Sequence, residues 1–186
     1  MSYREIELRD AVAEGRRARG DGIALVGLSS TLIATREEAL AYYANHLAGQ
    51  RQVVCYGKPI IIVFEPEGTH FFSEDSPEGQ VLPPSEHIQR RVRGGRIEIR
   101  RFSVDRARLM DRIIPAIEGF TVSIPGTGPM GHEKRMLHGP PMADGRYVRV
   151  VLRPGPAEAW TAVSAYPIPL ATWRACVAAR RAKFPP

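Results

Sequence analysis

Arg146-Tyr147-Val148-Arg149-Val150-Val151-Leu152-Arg153 is followed, across Pro154-Gly155-Pro156, by Ala159-Trp160-Thr161-Ala162-Val163-Ser164-Ala165-Tyr166. Two runs rich in β-branched and aromatic residues flank a Pro-Gly-Pro break, which reads as an antiparallel strand pair. Side chains alternate between faces along a strand. Tyr147, Arg149, Val151 and Arg153 therefore share one face. Val148, Val150 and Leu152 take the other, the core face, with Arg146 at its rim. On the partner, Trp160, Ala162, Ser164 and Tyr166 are expected to share a face. A surface with two arginines and a tyrosine has the chemistry of a platform for phosphates and bases.

Upstream of this pair, Arg96 to Phe102 alternates as a half-buried strand after the Gly94-Gly95 turn signal. Ser103 is placed to cap a helix from Val104 to about Ile114, with Leu109, Ile113, Ile114 and Ile117 on its apolar face. Pro115 should kink or end it. Phe120 to Ile124 reads as a strand and Pro125 to Gly131 as a loop. Further back, Val53–Tyr56 and Pro59–Phe64 read as strands around Gly57-Lys58, and Thr69–Phe72 is a weaker strand candidate. Ser73 to Pro84 is acidic and holds Pro and Gly, so it reads as a loop or linker. Thr35 caps a helix with Glu37 and Glu38 in its first turn, its inner face set by Leu40, Tyr43, Ala44 and Leu47. Residues 3–19 suggest a helix ended by Gly20-Asp21-Gly22, and Ile23–Leu28 a strand. Thr172 to Lys183 reads as a terminal helix. The expected class is α+β: N-terminal helices, then an antiparallel sheet crossed by one central helix.

Charge divides the chain. Residues 1–88 carry 8 Lys+Arg against 13 Asp+Glu, and residues 89–186 carry 18 against 7, within a total net charge of +6 over 186 residues. The expected division is an acidic part, 1–88, which can equally be integral to one domain, and a basic α+β part, 89–186. A basic half points to a polyanion partner, RNA or DNA first. Arginine supplies 23 of the 26 cations, and its planar fork suits phosphate geometry, though a GC-rich coding bias accounts for that composition equally well. The densest stretch runs through Arg90, Arg91, Arg93, Arg96, Arg100, Arg101, Arg106, Arg108 and Arg112. Arg96, Arg100 and Arg101 are its candidate backbone contacts, whereas the helical arginines read as a solvated face.

Chemistry concentrates in Gly131-His132-Glu133-Lys134-Arg135-Met136-Leu137-His138-Gly139, read as a loop. Metal-free RNA cleavage needs a base for the 2′-hydroxyl, an acid for the leaving 5′-oxygen and a cation beside the phosphate. His132 and His138 suit the proton roles, with Tyr166 as an alternative acid. Lys134 and Arg146 suit the electrostatic role, and Ser164 completes the catalytic set. Arg135, Arg149 and Arg153 join the nucleic-acid contacts. A solvated loop with idle histidines is the competing reading. Gly126-Thr127-Gly128-Pro129-Met130-Gly131 matches G-x-G-x-x-G, but Pro129 and the polar run after it oppose the helix that a dinucleotide site requires.

Cys55 and Cys176 read as reduced, partly buried thiols, with Cys55 structural in its apolar strand. Glu65, Glu67, His70, Glu74 and Asp75 fit no ligand pattern, so no metal or cofactor is expected. The longest apolar run, Pro59–Phe64, is too short to cross a bilayer, and the charged N-terminus is unlike a signal peptide. The expectation is a protein acting in the cytoplasm without membrane contact, with export by a signal-less route left open.

The order of parts over residues 97–167, an antiparallel sheet with a His/Lys/Arg set and a late strand ending Ser164-Ala165-Tyr166-Pro167, resembles the barnase/EndoU/colicin/RelE-like ribonuclease toxins. The resemblance implies a ribonuclease toxin forming a 2′,3′-cyclic phosphate. His132 or His138 would be acid/base candidates, Lys134 and Arg146 phosphate-side cations, and Ser164 with Tyr166 late-strand site residues. RNA, tRNA among its forms, would be the partner, together with a candidate neutralising protein. Three other classes stay open: a nucleic-acid-binding protein without chemistry, an ADP-ribosyl-transfer toxin, for which no well-placed catalytic glutamate follows the late strand, and a structural or interaction protein of a mobile element.

Overall fold

The first described element owes its start to a reciprocal cap. The Thr35 hydroxyl accepts from the Glu38 backbone N–H while the Glu38 carboxylate accepts from the Thr35 backbone N–H, opening helix α1, Arg36–His46. This computed structural model describes residues 33–55, 57–76, 83, 87–93, 96–128 and 131–183, with side chains described outside 89–97 and 180–183. The helix expected at 3–19, the strand at Ile23–Leu28 and the Gly94-Gly95 turn lie outside the described residues. The buried face of α1 is Ala39 and Tyr43, continued by Leu47. Leu40 and Ala44, expected inside, are exposed.

Strands β1 (Gly49–Cys55) and β2 (Lys58–Phe64) form a hairpin through Gly57. Thr69–Phe71, a strand candidate from sequence, is instead a tight helical turn leading into β3 (Ser73–Asp75). Strands β4 (His87–Arg93) and β5 (Arg96–Phe102) follow. The expected central helix is broken into α2 (Val104–Ala107), a turn at Met110–Arg112, and α3 (Ile113–Glu118). Pro115 does not end α3. It lies in the first turn, where no intrahelical partner exists for its missing N–H. Then come β6 (Val122–Thr127), β7 (Glu133–Pro141), β8 (Tyr147–Pro154), β9 (Trp160–Ile168) and helix α4 (Leu170–Lys183).

The fold is α+β, as expected from the sequence. Six strands line up as β1-β2-β9-β8-β7-β6, and a second sheet runs β3-β5-β4. The larger sheet is not purely antiparallel, because β2 and β9 pair in parallel at Ile62–Trp160 and Phe64–Ala162. A parallel pair needs a long crossover, and everything from the tight turn to β8 lies between these two strands. Strands on both sides of the charge switch near residue 88 thus contribute to one sheet and one core.

Two environments form on the larger sheet. On one face, Leu137, Val148, Val150, Leu152, Ala162 and Ala165 join Ile113, Ala116 and Ile117 of α3 in the main core. Each fully buried aliphatic side chain of this kind contributes about 1.5–3 kcal/mol. Gly139 lets α3 approach β7, since a Cβ there would stand 2.7 Å from the Ala116 Cβ and 2.9 Å from its Cα. On the other face, Val122, Tyr147 and Ile168 pack under Trp173 of α4, with Tyr147 and Trp173 stacked at 4.7 Å. Among the described residues no helix is long and apolar enough to cross a membrane.

Candidate functional site

The His132–Gly139 run is not a loop. From Glu133 onward it is β7, paired with β6 through Val122–His138 and with β8 through His138–Arg149. Its polar sequence hides a strand held by both neighbours. The next pairing is Arg149–Tyr166. His138, Arg149 and Tyr166 thus lie side by side on three adjacent strands.

A bulge completes the arrangement. Val151 pairs with Ser164 but Leu152 pairs with Ala162, so Val163 is an extra residue in β9. Trp160 and Ala162 stay in the main core with Ala165. Ser164 and Tyr166 come to the opposite face, beside Arg149, which corrects the expectation that all four alternate residues share a face.

Within the cluster, the Arg149 Nε donates to His138 Nε2 at 2.8 Å. Arg149 Nη1 donates to the Tyr166 hydroxyl at 3.3 Å, and Nη2 to Cys176 Sγ on α4 at 3.4 Å. The second cation, Arg106 of α2, donates through Nη2 to Ser164 Oγ at 2.6 Å and to the carbonyl of His70. The two guanidinium carbons lie 5.7 Å (Arg106) and 5.6 Å (Arg149) from the Tyr166 ring centre, within cation–π range. Arg106, Arg149, Ser164 and Tyr166 are all half-buried, so solvent reaches the cluster.

Neither arginine has a carboxylate within ion-pair distance among the described residues. Burial first, then the charge of Arg100, pulls the Arg106 pKa down to about 10 against the opposing charges of Glu74 and Asp75, so it remains a cation at neutral pH. Its Nε is buried with no partner among the described residues. Two partly desolvated cations with no carboxylate in contact offer the chemistry of a receptor for an anion.

His138 is 0% exposed. Burial first, then Arg149, pushes its pKa down to about 3, so the ring is neutral. Since Nε2 accepts from Arg149, the ring proton sits on Nδ1, which has no partner among the described residues. A histidine with no exposure and an occupied lone pair cannot reach a substrate. His132 is exposed outside the strand, about 20 Å away along an extended chain. The two-histidine acid–base pair expected from sequence is therefore not assembled.

The other sequence candidates divide by position. Lys134 shares the face of His138, its methylenes crossing Gly126, where a Cβ would lie 3.0 Å from Lys134 Cε. Arg146 is engaged at the entry to β8 by Asp144 (2.7 Å) and Asp105 (3.2 Å). Arg153 pairs with Glu65, and Arg135 lies 3.7 Å from Glu133. Arg100 holds Asp75 at 3.3 Å and Ser73, and Arg101 holds Glu74 at 2.8 Å, so both tie β5 to β3. The Arg96 side chain lies outside the described ones. Cys55 is structural: its thiol donates to the Ile117 carbonyl at 3.1 Å, and burial, then Glu118, pushes its pKa up to about 12.

No protein-family model matches this chain, and no curated protein or solved structure does either.

Sequence reasoning missed two members of the cluster. Arg106 was one of nine arginines in a basic stretch, with nothing in its spacing to mark it. Cys176 read as an inert thiol, and only the docking of α4 carries it to Arg149.

Proposed function

We propose that the protein is a metal-independent endoribonuclease whose centre is Arg106, Arg149, Ser164 and Tyr166. One observation carries the reading: two arginines without carboxylate partners flank a tyrosine that can carry a proton, on an accessible sheet face. A phosphodiester bound by these guanidiniums would have its developing negative charge stabilised in place. Tyr166, within hydrogen-bond reach of Arg149, is the proton carrier, and Ser164 fixes Arg106. The nucleophile is the substrate's own 2′-hydroxyl: its oxygen bonds to phosphorus as the bond to the 5′-oxygen breaks. The Tyr166 hydroxyl gives its proton to the departing 5′-oxygen and takes the 2′-hydroxyl proton in return, and a 2′,3′-cyclic phosphate is left. Toxin activity with a neutralising partner belongs to the same reading, through the resemblance over residues 97–167.

The test is incubation of the chain with tRNA and mixed RNA in EDTA, read on a denaturing gel. Fragments ending in cyclic phosphate, lost in Tyr166→Phe and Arg106→Ala, are expected. Intact RNA would refute the enzyme.

A second reading, a nucleic-acid-binding protein without chemistry, is favoured by the separation of His132 from the buried His138, which removes the expected acid–base pair. It predicts binding that weakens steeply with salt and needs Arg149 but yields no fragments.

A further inference from the structure

A guanidinium that waits for an anion has two requirements that pull against each other. It must be held still, or ordering its long side chain takes free energy from binding. It must also keep its charge, so the group that holds it cannot be a carboxylate. Arg149 meets both. Its Nε is held at 2.8 Å by the Nε2 of His138, an imidazole with no solvent exposure. Its two remaining nitrogens meet the Tyr166 hydroxyl and the Cys176 sulfur, neither of them a carboxylate. His138 and Arg149 are register partners on β7 and β8, so the backbone fixes both ends of the contact.

We propose that His138 is the positioning residue of the anion site, clamping Arg149 from behind so that a phosphate of RNA meets a preset, uncancelled positive charge. This deepens the ribonuclease reading, and it reassigns a histidine that the sequence placed in proton transfer. The imidazole never touches the substrate. It acts through Arg149 alone, in its neutral form, with Nε2 as acceptor. Burial under the sheet partners keeps that form dominant, because charging the ring would bring two cations into contact away from water. Arg106 is held in the same manner by Ser164 Oγ and the His70 carbonyl, again with no carboxylate in contact.

The experiment uses the full chain and a fluorescent oligonucleotide with 2′-deoxy sugars, which binds but cannot be cleaved through its own 2′-hydroxyl. His138→Leu removes the acceptor, and His138→Gln supplies an amide oxygen at a similar reach. Expected are binding weaker by about tenfold or more in His138→Leu, recovery to within a few-fold in His138→Gln, and no further loss when His138→Leu is added to Arg149→Ala. Equal affinities for wild type and His138→Leu would overturn the proposal. So would a loss in His138→Gln as large as that in His138→Leu, or an added loss in the Arg149→Ala background. If His138→Leu does not fold, His138→Asn replaces it; its acceptor stops short of Arg149, so it must bind more weakly than His138→Gln, and parity of the two would refute the clamp. In cleavable RNA the same substitutions would raise KM and lower kcat together. A chain that cleaves nothing, yet follows the expected binding order, would sink the ribonuclease reading and leave the clamp standing.

Discussion

The six-stranded sheet has two faces drawn from the same strands, one residue out of step. On one, Leu137, Val150 and Ala165 stand in adjacent register and close against α3. On the other, displaced by a single residue, stand His138, Arg149 and Tyr166. The first face gains stability from buried area, which is tolerant of detail. The second desolvates cations and leaves polar atoms of His138 and Arg106 without partners among the described residues, a cost that packing does not repay. Such local penalties persist where a site needs them, supported by a core elsewhere. The difference teaches where to look for function: at the face that breaks the rules its twin obeys.

Substitutions on the two faces should separate activity from stability. The largest effect belongs to Arg149→Ala, expected to slow RNA cleavage by about 10²–10³-fold and to cost about 1–3 kcal/mol in urea unfolding, because the buried Nε2 of His138 loses its donor. On the core face, Leu152→Ala should cost about 2–5 kcal/mol in urea unfolding and leave the rate per folded molecule intact. If Leu152→Ala lost rate per folded molecule and Arg149→Ala kept it, the contrast between the faces would collapse.

Gly139→Ala comes next. Its methyl would press into the backbone of Ala116, so a loss of about 1–3 kcal/mol is expected by chemical unfolding. A fully stable variant would mean that α3 can move off β7 without penalty.

Acid sharpens the contrast gradually, over several pH units. The His138 pKa falls from 6.5 in the unfolded chain to about 3 in the fold. The unfolded state then binds the extra proton between these values. This contribution to stability is whole above pH 6.5 and is lost as pH falls toward 3, at a slope approaching about 1.4 kcal/mol per pH unit. Denaturation of His138→Gln followed against pH should show a shallower decline over that window. Parallel curves would show that the ring is charged in the fold.

Much of the fold is legible in the residues, and the reasons it stops being legible are specific. Val148, Val150 and Leu152 alternate with Tyr147, Arg149 and Arg153, so β8 and its inner face can be read directly. Thr35 with Glu38 announces α1. Strand β7 cannot be read this way, because Glu133-Lys134-Arg135 and Gly139 have little intrinsic strand preference and are extended by pairing on both sides. The bulge at Val163 is invisible to alternation, yet it decides that Ser164 and Tyr166 face Arg149. In the site, Tyr166, Ser164, Arg149 and His138 were all named from sequence. What the sequence could not supply was depth: His138 and His132 look alike on paper, and only burial tells the clamp from the exposed ring. Arg106 enters from a different sheet connection, through a contact 58 residues away from Ser164 in sequence, which no local pattern encodes.

The central claim is that Tyr166 and its two arginines, rather than the histidines, cut RNA. It is tested most directly by comparing wild type, His132→Ala and Tyr166→Phe on one labelled RNA in EDTA, with the ends of the products identified. Cleavage to cyclic-phosphate ends by wild type and His132→Ala at equal rates, with Tyr166→Phe slower by about 10²-fold or more, is the expected result. Full activity in Tyr166→Phe, or loss of activity in His132→Ala, would contradict it.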